Sequence, residues 1–265
     1  MSGGRTWPLW SCPCRFNHRR LPLIRSFLLL MLLLPLPLWA QTSPLAPHTA
    51  EYQVNYGEIN LGGARFMLLP PEGDFYQYKL DSDLSLLVLS DKRHIRSEFT
   101  YQDGQLTPLR FSHQRTGTGP NFNEQIAFAK EQGKIFSRYK DEKSKLDYSG
   151  TLYDALMVQL QFRLDLAAGK KPLAYELVKD NEIDDYRFKI VGKERMTLDS
   201  GVYNTVKLEV VRDSTKRQTF VWMAPDLGWL PVRLTHFESG SKQLDIKLAK
   251  LSLGSEVNNQ LAKTE

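Results

Sequence analysis

The sequence predicts a mainly β protein: a curved antiparallel sheet, open or closed into a barrel, of about ten strands with one packed amphipathic helix. Three observations predict it. Short runs alternating apolar with polar residues recur from Glu51 onward. The gaps between them are of hairpin length and rich in Gly, Asp, Asn and Ser. One segment alone, TLYDALMVQLQFRLDLAAGKK, abandons the period of two for a spacing of four.

Residues 1–40 stand apart. Arg5, Arg15, Arg19, Arg20 and Arg25 are their only charged residues, and FLLLMLLLPLPLWA follows, ending at Ala40. A basic stretch, an apolar stretch and a small residue read as a secretory signal peptide. The alternative is an uncleaved inner-membrane anchor. Phe27 to Trp39 is 13 residues, whereas spanning a bilayer takes about 20, so export to the periplasm is the expectation. No cysteine follows Ala40, which argues against a lipoprotein.

Setting this arm aside changes the charge balance. The chain has 35 Lys+Arg and 30 Asp+Glu, and without the five arginines the balance is 30 against 30. The basic character belongs to the arm and gives no argument for nucleic-acid binding. Cys12 and Cys14 are the only cysteines and lie in the same arm. Disulfides and thiolate chemistry are therefore not expected in residues 41–265, which must hold together through an apolar core. A chain of this length can bury one, as a single domain.

Gln41 to Thr49 (QTSPLAPHT) reads as a flexible leader, residues 50–253 as one β-rich domain and 254–265 as a polar tail. EYQVNYGEI opens the domain with Tyr52, Val54 and Tyr56 on one face. ARFMLLP, FYQYKLDSDL, KRHIRSEFTY and QLTPLRFSHQ follow, the last two joined by the tight turn QDG. EQIAFAK and KIFSRYK form a further hairpin, and the charge run DEKSK reads as a solvated loop.

The helix segment places Leu152, Leu156, Leu160 and Leu164 on one stripe. Thr151 with Asp154 has the form of a capping box, and Gly169 is a natural stop. Strands then resume in LAYELVKD, YRFKIVGKERM, VYNTVKLEVVRD, RQTFVWM, LPVRLTHF and KQLDIKLAKLS.

Two hexapeptides share one pattern: PLRFSH (Pro108 to His113) and PVRLTH (Pro231 to His236). Strict alternation puts Leu109, Phe111 and His113 on one face and Arg110 on the other. It does the same for Val232, Leu234 and His236 against Arg233. Arginine and histidine of one copy do not converge, so the repeat reads as one structural device used twice rather than a split active site. A histidine ending an apolar face is most simply a hydrogen-bonded core residue.

Catalytic signatures are missing from the sequence: no GxSxG, no GxxxxGK[ST], no GxGxxG, no HExxH and no HxH. NEIDD (Asn181 to Asp185) clusters carboxylates in a hairpin turn, and Asp81 with Asp83 reads as a solvent face. No cofactor or metal is implied. A sugar-cleaving enzyme would need two carboxylates facing across a cleft at about 5–10 Å, which no spacing here supplies.

The order of these pieces resembles the exported bacterial family catalogued as domain of unknown function 3108. The residues that carry the resemblance are EYQVNYGEINLGGARFML, LTPLRFSH, YSGTLYDALMVQLQFRL, TLDSGVYNTVKLEVV and FVWMAPDLGWLPVRL. The last holds Trp222, Pro225, Gly228 and Pro231 at spacing three. The resemblance covers roughly Ala50 to Leu253 and implies an envelope location and a β-rich fold, without a reaction. The closing stretch is also similar in style to the periplasmic lipoprotein carriers, half-barrels whose concave face holds acyl chains; this is an analogy of fold.

The resulting expectation is a non-enzymatic periplasmic protein that binds a lipid-like envelope molecule in the concave sheet. The alternative is an assembly factor contacting an envelope protein. An open apolar concavity favours the first and a filled core the second. The candidate lining residues are Phe111, His113, Phe220, Trp222, Leu234 and His236, with the two histidines at the rim.

Overall fold

The computed structural model describes residues 42–213 and 216–254. The expected signal peptide and polar tail fall outside these residues. The first strands are β1 (His48–Tyr56), β2 (Ile59–Leu68), β3 (Phe75–Leu86), β4 (Leu89–Gln102) and β5 (Gln105–Gly117). Then come β6 (Phe122–Ala129), β7 (Lys134–Tyr139), β8 (Glu142–Asp147) and β9 (Leu152–Asp154). After the helix α1 (Val158–Ala167) follow β10 (Leu173–Lys179), β11 (Glu182–Leu198), β12 (Gly201–Val211), β13 (Arg217–Ala224), β14 (Leu230–Glu238) and β15 (Ser241–Leu253).

All fifteen strands belong to one sheet. Its order is β8-β7-β6-β5-β4-β3-β2-β1-β15-β14-β13-β12-β11-β10-β9. Neighbours pair antiparallel except β9 with β10, which run parallel. First and last strands of the chain's main run, β1 and β15, pair in the middle. The sheet is therefore two meanders joined at its centre, and its edges are β8 and β9.

The expected count of about ten strands is corrected to fifteen, and two of the additions were hidden. β8 lies in the charge run read as a loop. Its lysines suit an edge, where charge discourages pairing with another chain, while Ser144 and Leu146 turn inward. β9 lies in the segment read as helix: Leu152, Tyr153 and Asp154 are all buried, and they pair with Glu176 to Val178. The helix is accordingly shorter than its apolar stripe. It is also buried on more than that stripe, since Gln161, Arg163 and Asp165 are covered along with Leu160, Phe162 and Leu166. Gly169, at φ +67°, ends it as expected. Thr151 is not the cap. The Asp154 carboxylate accepts hydrogen bonds from the backbone N–H of Leu156 (2.9 Å) and Met157 (2.7 Å) instead.

The sheet does not close through a backbone ladder. It curls until its two ends meet, and side chains join them. Ser97 of β4 donates to Asp154 of β9 at 2.5 Å. The Gln161 side-chain oxygen accepts from the Leu106 N–H of β5 at 2.9 Å. The Glu124 carboxylate of β6 accepts from the Asp180 N–H at 2.7 Å, and Ser137 of β7 donates to Asn181 at 2.8 Å. Helix α1 lies inside the curl, and the main apolar cluster gathers around it from Phe99, Leu106, Ile135, Met157, Leu160 and Leu208.

The paired hexapeptides form the same device. In each, one residue is bulged out of the ladder: Leu109, where Glu98 and Phe99 face Arg110 and Pro108, and Val232, where Trp222 and Met223 face Arg233 and Pro231. A bulge inserts one residue and resets the alternation. Leu109 therefore does not share a face with Phe111, nor Val232 with Leu234, which corrects the strict alternation. Both arginines pair with carboxylates: Arg110 with Glu98 at 2.7 Å, and Arg233 with the buried Asp245 through two bonds of 2.8 Å.

The leader also differs from expectation. His48 and Thr49 begin β1 and are buried, and Leu45 joins the main cluster.

Candidate functional site

The concave face is not filled. A cavity of about 970 Å³ runs along it between the two meanders, at the upper end of the range usual for small-molecule sites, about 300–1,000 Å³. Its row on β3 is Tyr78, Leu80, Ser82, Leu84 and Leu86, which alternation places on one face. Eight residue steps at about 3.3 Å make this row about 26 Å long. Across from it stand Val210 on β12, Val221 and Met223 on β13, Leu234 on β14 and Ile246 on β15. The lining is overwhelmingly apolar.

The two ends differ. At one, Phe162 and Arg163 of α1 meet Tyr52, Tyr78, Met223 and Pro231. Residues 42–43 close over this end against the turn at Gly228, where φ is +62° and an added Cβ would stand 2.7 Å from the Thr42 carbonyl oxygen. At the other end the β3–β4 hairpin rims the opening. Its tip residues Leu87 and Val88 are 96% and 90% exposed. Leu84, Leu86 and Leu89 line the cavity just inside, together with Asp91, Arg93, Arg115 and Arg212. Asp91 bridges Arg93 and Arg115 at 2.7 Å each, which offsets part of the positive charge at this mouth.

The closed end holds a buried charged group, Arg163, at 3% exposure. Its Nε donates to the Gly228 carbonyl at 2.9 Å, and its Nη1 donates to His48 Nε2 at 3.3 Å. The other ring nitrogen of His48, Nδ1, lies 2.8 Å from the Ala46 carbonyl and must carry the proton there. Nε2 is then a free acceptor, which suits the arginine donor. Burial, and next the adjacent Arg163 charge, hold the His48 pKa down to about 4, so the imidazole is neutral. Burial pushes the Tyr78 hydroxyl up to about 12, against the attraction of Arg163. That hydroxyl makes no hydrogen bond among the described residues, whereas Tyr52 donates to the Pro231 carbonyl at 2.8 Å.

Of the residues singled out in the sequence, Leu234 lines this cavity. Phe220 and Trp222 do not: Thr219, Val221 and Met223 of β13 take the inner face, and alternation turns the two aromatics outward. Trp222 packs in a second cluster with Ala50, Met196, Val232 and Leu248, beneath the Arg233 guanidinium at 5.3 Å. Phe111 belongs to the main cluster, away from the cavity. His113 sits edge-on to Phe122 at 4.8 Å, with Glu124 3.8 Å from its Nδ1. His236 hydrogen-bonds Thr219, a mouth residue, at 2.8 Å and stands one residue back from the cavity. Sequence reasoning missed Arg163, His48 and Tyr78. One signal was present for Arg163: no acid lies three or four residues away from it on the helix.

Among the described residues these features define a class: a curled, mainly antiparallel sheet with one inserted α-helix and an apolar cavity carrying a buried arginine at its closed end. The chain belongs to the family described as "Protein of unknown function (DUF3108)", whose model matches residues 51–247. Comparison with curated proteins finds no match. Among solved structures, the chain is similar to a protein from Parabacteroides distasonis described as a "putative lipoprotein". The two are 9% identical, the match covers 80% of this chain and 97% of the other, and the TM-score is 0.32. No helix among the described residues is long and apolar enough to cross a membrane.

Proposed function

We propose that this protein is an exported, non-enzymatic binding protein that holds a lipid-like molecule of the cell envelope along its concave sheet. The cavity supports this reading. A concavity of about 970 Å³ lined by apolar side chains from ten strands and α1 exposes surface whose removal from water favours an apolar guest by about 25 cal/mol per Å². An assembly factor with a filled core has no need of such a volume. The basic, apolar segment at residues 1–40 supports export to the periplasm.

Native mass spectrometry of the gently purified protein, followed by lipid extraction, tests the reading. The expected result is a co-purifying acyl species bound one to one, lost in Val221→Lys while the near-ultraviolet circular dichroism is retained. A clean apo mass together with no uptake of pyrene-labelled hexadecanol overturns it.

A further inference from the structure

Arg163 is a buried cation with no carboxylate within ion-pair distance among the described residues. Its two hydrogen-bond acceptors, the Gly228 carbonyl and the neutral His48 ring, carry no charge. Burying a charge is costly unless it is paired. A guanidinium cannot escape this cost by losing its proton. The two bonds orient the planar fork and leave Nη2 without a partner among the described residues. The side chain lines the cavity beside the Tyr78 hydroxyl, which is also unpartnered.

Two unused donors therefore converge at the closed end of a long apolar groove. The free Nη2 can give a carboxylate a charge-assisted N–H···O bond, and the phenol adds a second donor. Other basic groups of the lining already have carboxylates: Arg93 and Arg115 share Asp91, Arg233 pairs with Asp245 and Lys179 with Asp180.

We infer that the ligand is an anionic amphiphile with a carboxylate head, bound head-inward, its carboxylate pairing with Arg163 and Tyr78 and its acyl chain lying along the β3 row toward the Leu86 mouth. This rests on the lipid-binding reading above and names the ligand class. A single guanidinium balances the one charge of a carboxylate better than the larger charge of a phosphate monoester.

Equilibrium titration of the full protein with palmitate, hexadecanol and hexadecyl phosphate tests it. Palmitate should bind at least tenfold more tightly than hexadecanol. Arg163→Met should abolish that preference while hexadecanol still binds. Tyr78→Phe keeps the ring contacts with Phe66 and His48 and removes only the hydroxyl. It should weaken palmitate about threefold to tenfold and leave hexadecanol unchanged, which decides the matter if Arg163→Met does not fold. Equal binding of palmitate and hexadecanol overturns the carboxylate assignment but leaves the lipid-binding reading standing. Tighter binding of hexadecyl phosphate also overturns it. Failure of all three ligands to bind overturns both.

Discussion

The Ser97 hydroxyl donates to the Asp154 carboxylate at 2.5 Å, across the line where the two ends of the sheet meet. Both residues are fully buried. Backbone pairing breaks off here, because β9 is only three residues long and ends the sheet. Asp154 compensates by working in three directions: it takes the Ser97 bond, opens the turn into α1, and fixes β9 against β10. One carboxylate thus ties an edge strand, the helix and the opposite meander together. Its environment also gives it a pH response of its own.

Burial pushes the Asp154 pKa from its ordinary 3.8 up to about 6, against hydrogen bonds from Met157, Ser97 and Leu156 that favour the ionised form. The folded state therefore binds the proton more tightly than the unfolded chain. The stability this group contributes is fully present below about pH 4 and is lost as pH rises through about 6. The loss is on the order of 3 kcal/mol at about 1.4 kcal/mol per pH unit. Asp154→Asn keeps an acceptor for the turn and removes the titration. Urea unfolding at pH 4 to 8 should show the variant gaining on the wild type as pH rises from 4 to 6 and holding a constant difference above. Parallel profiles would refute the assignment.

His48 works in the opposite sense. Its folded pKa of about 4 lies below the ordinary 6.5, through burial and then Arg163. Its contribution is fully present above about pH 6.5 and is lost as pH falls through about 4. Over the window from 6 to 4 the two residues nearly cancel, so the wild type should change little through them. His48→Asn should uncover the Asp154 slope and become more stable on mild acidification. Asp154→Asn should uncover the His48 slope and lose about 3 kcal/mol between pH 6.5 and 4. If the double variant shows the same slope as either single variant, the two titrations have been misassigned.

How far these features were legible in the sequence depended on range. Period-two alternation marked most strands because it is a local signal. The Asp103-Gly104 turn, with positive φ at both residues, was equally plain, whereas the turn read over NEIDD is confined to Asp180-Asn181, and Glu182 to Asp185 already belong to β11. β9 was misread because Leu152 and Leu156 keep helical spacing although a parallel partner 24 residues away determines the local conformation. Phe220 and Trp222 were placed inward since aromatic content marks burial without marking which face is buried. In fact a second cluster on the outer face receives Trp222. The bulges at Leu109 and Val232 shifted the faces within PLRFSH and PVRLTH, and a one-residue insertion leaves no trace in composition. His48 and Arg163 meet from positions 115 residues apart, so no local pattern could pair them.

The closed end of the cavity depends on Gly228 twice, through its carbonyl to Arg163 and through its close approach to residues 42–43. At φ +62° a side chain costs about 1–2 kcal/mol. An alanine Cβ would also stand 2.7 and 2.9 Å from the carbonyl oxygens of Thr42 and Ser43, and backbone cannot yield as a flexible side chain can. Gly228→Ala should lower stability by about 2–3 kcal/mol in all. Gly57→Ala serves as the control: φ is +57°, within the same left-handed region, but nothing lies within 4 Å of the added atom, so it should cost only the conformational part. Equal losses of Tm in the two variants would show that the contact with residues 42–43 contributes nothing.

At the opposite end, Leu87 and Val88 keep large apolar side chains in solvent at the rim of the cavity. Burying them cannot be what they contribute to the fold. Replacing both with serine should change stability by no more than about 0.5 kcal/mol, the usual range for surface positions. Their place at the mouth gives them a kinetic role under the proposed function: an apolar rim lowers the barrier for an acyl chain leaving a bilayer, because the chain passes from lipid to protein with less exposure to water. Leu87→Ser with Val88→Ser should therefore slow uptake of pyrene-labelled palmitate from phosphatidylcholine vesicles, followed by loss of excimer fluorescence, by about fivefold or more. The equilibrium affinity for the same probe added from solution should stay within about twofold, since the cavity row from Tyr78 to Leu86 is untouched. Unchanged uptake rates would remove the tip from the entry path. A matched fall in rate and affinity would place it within the binding site itself.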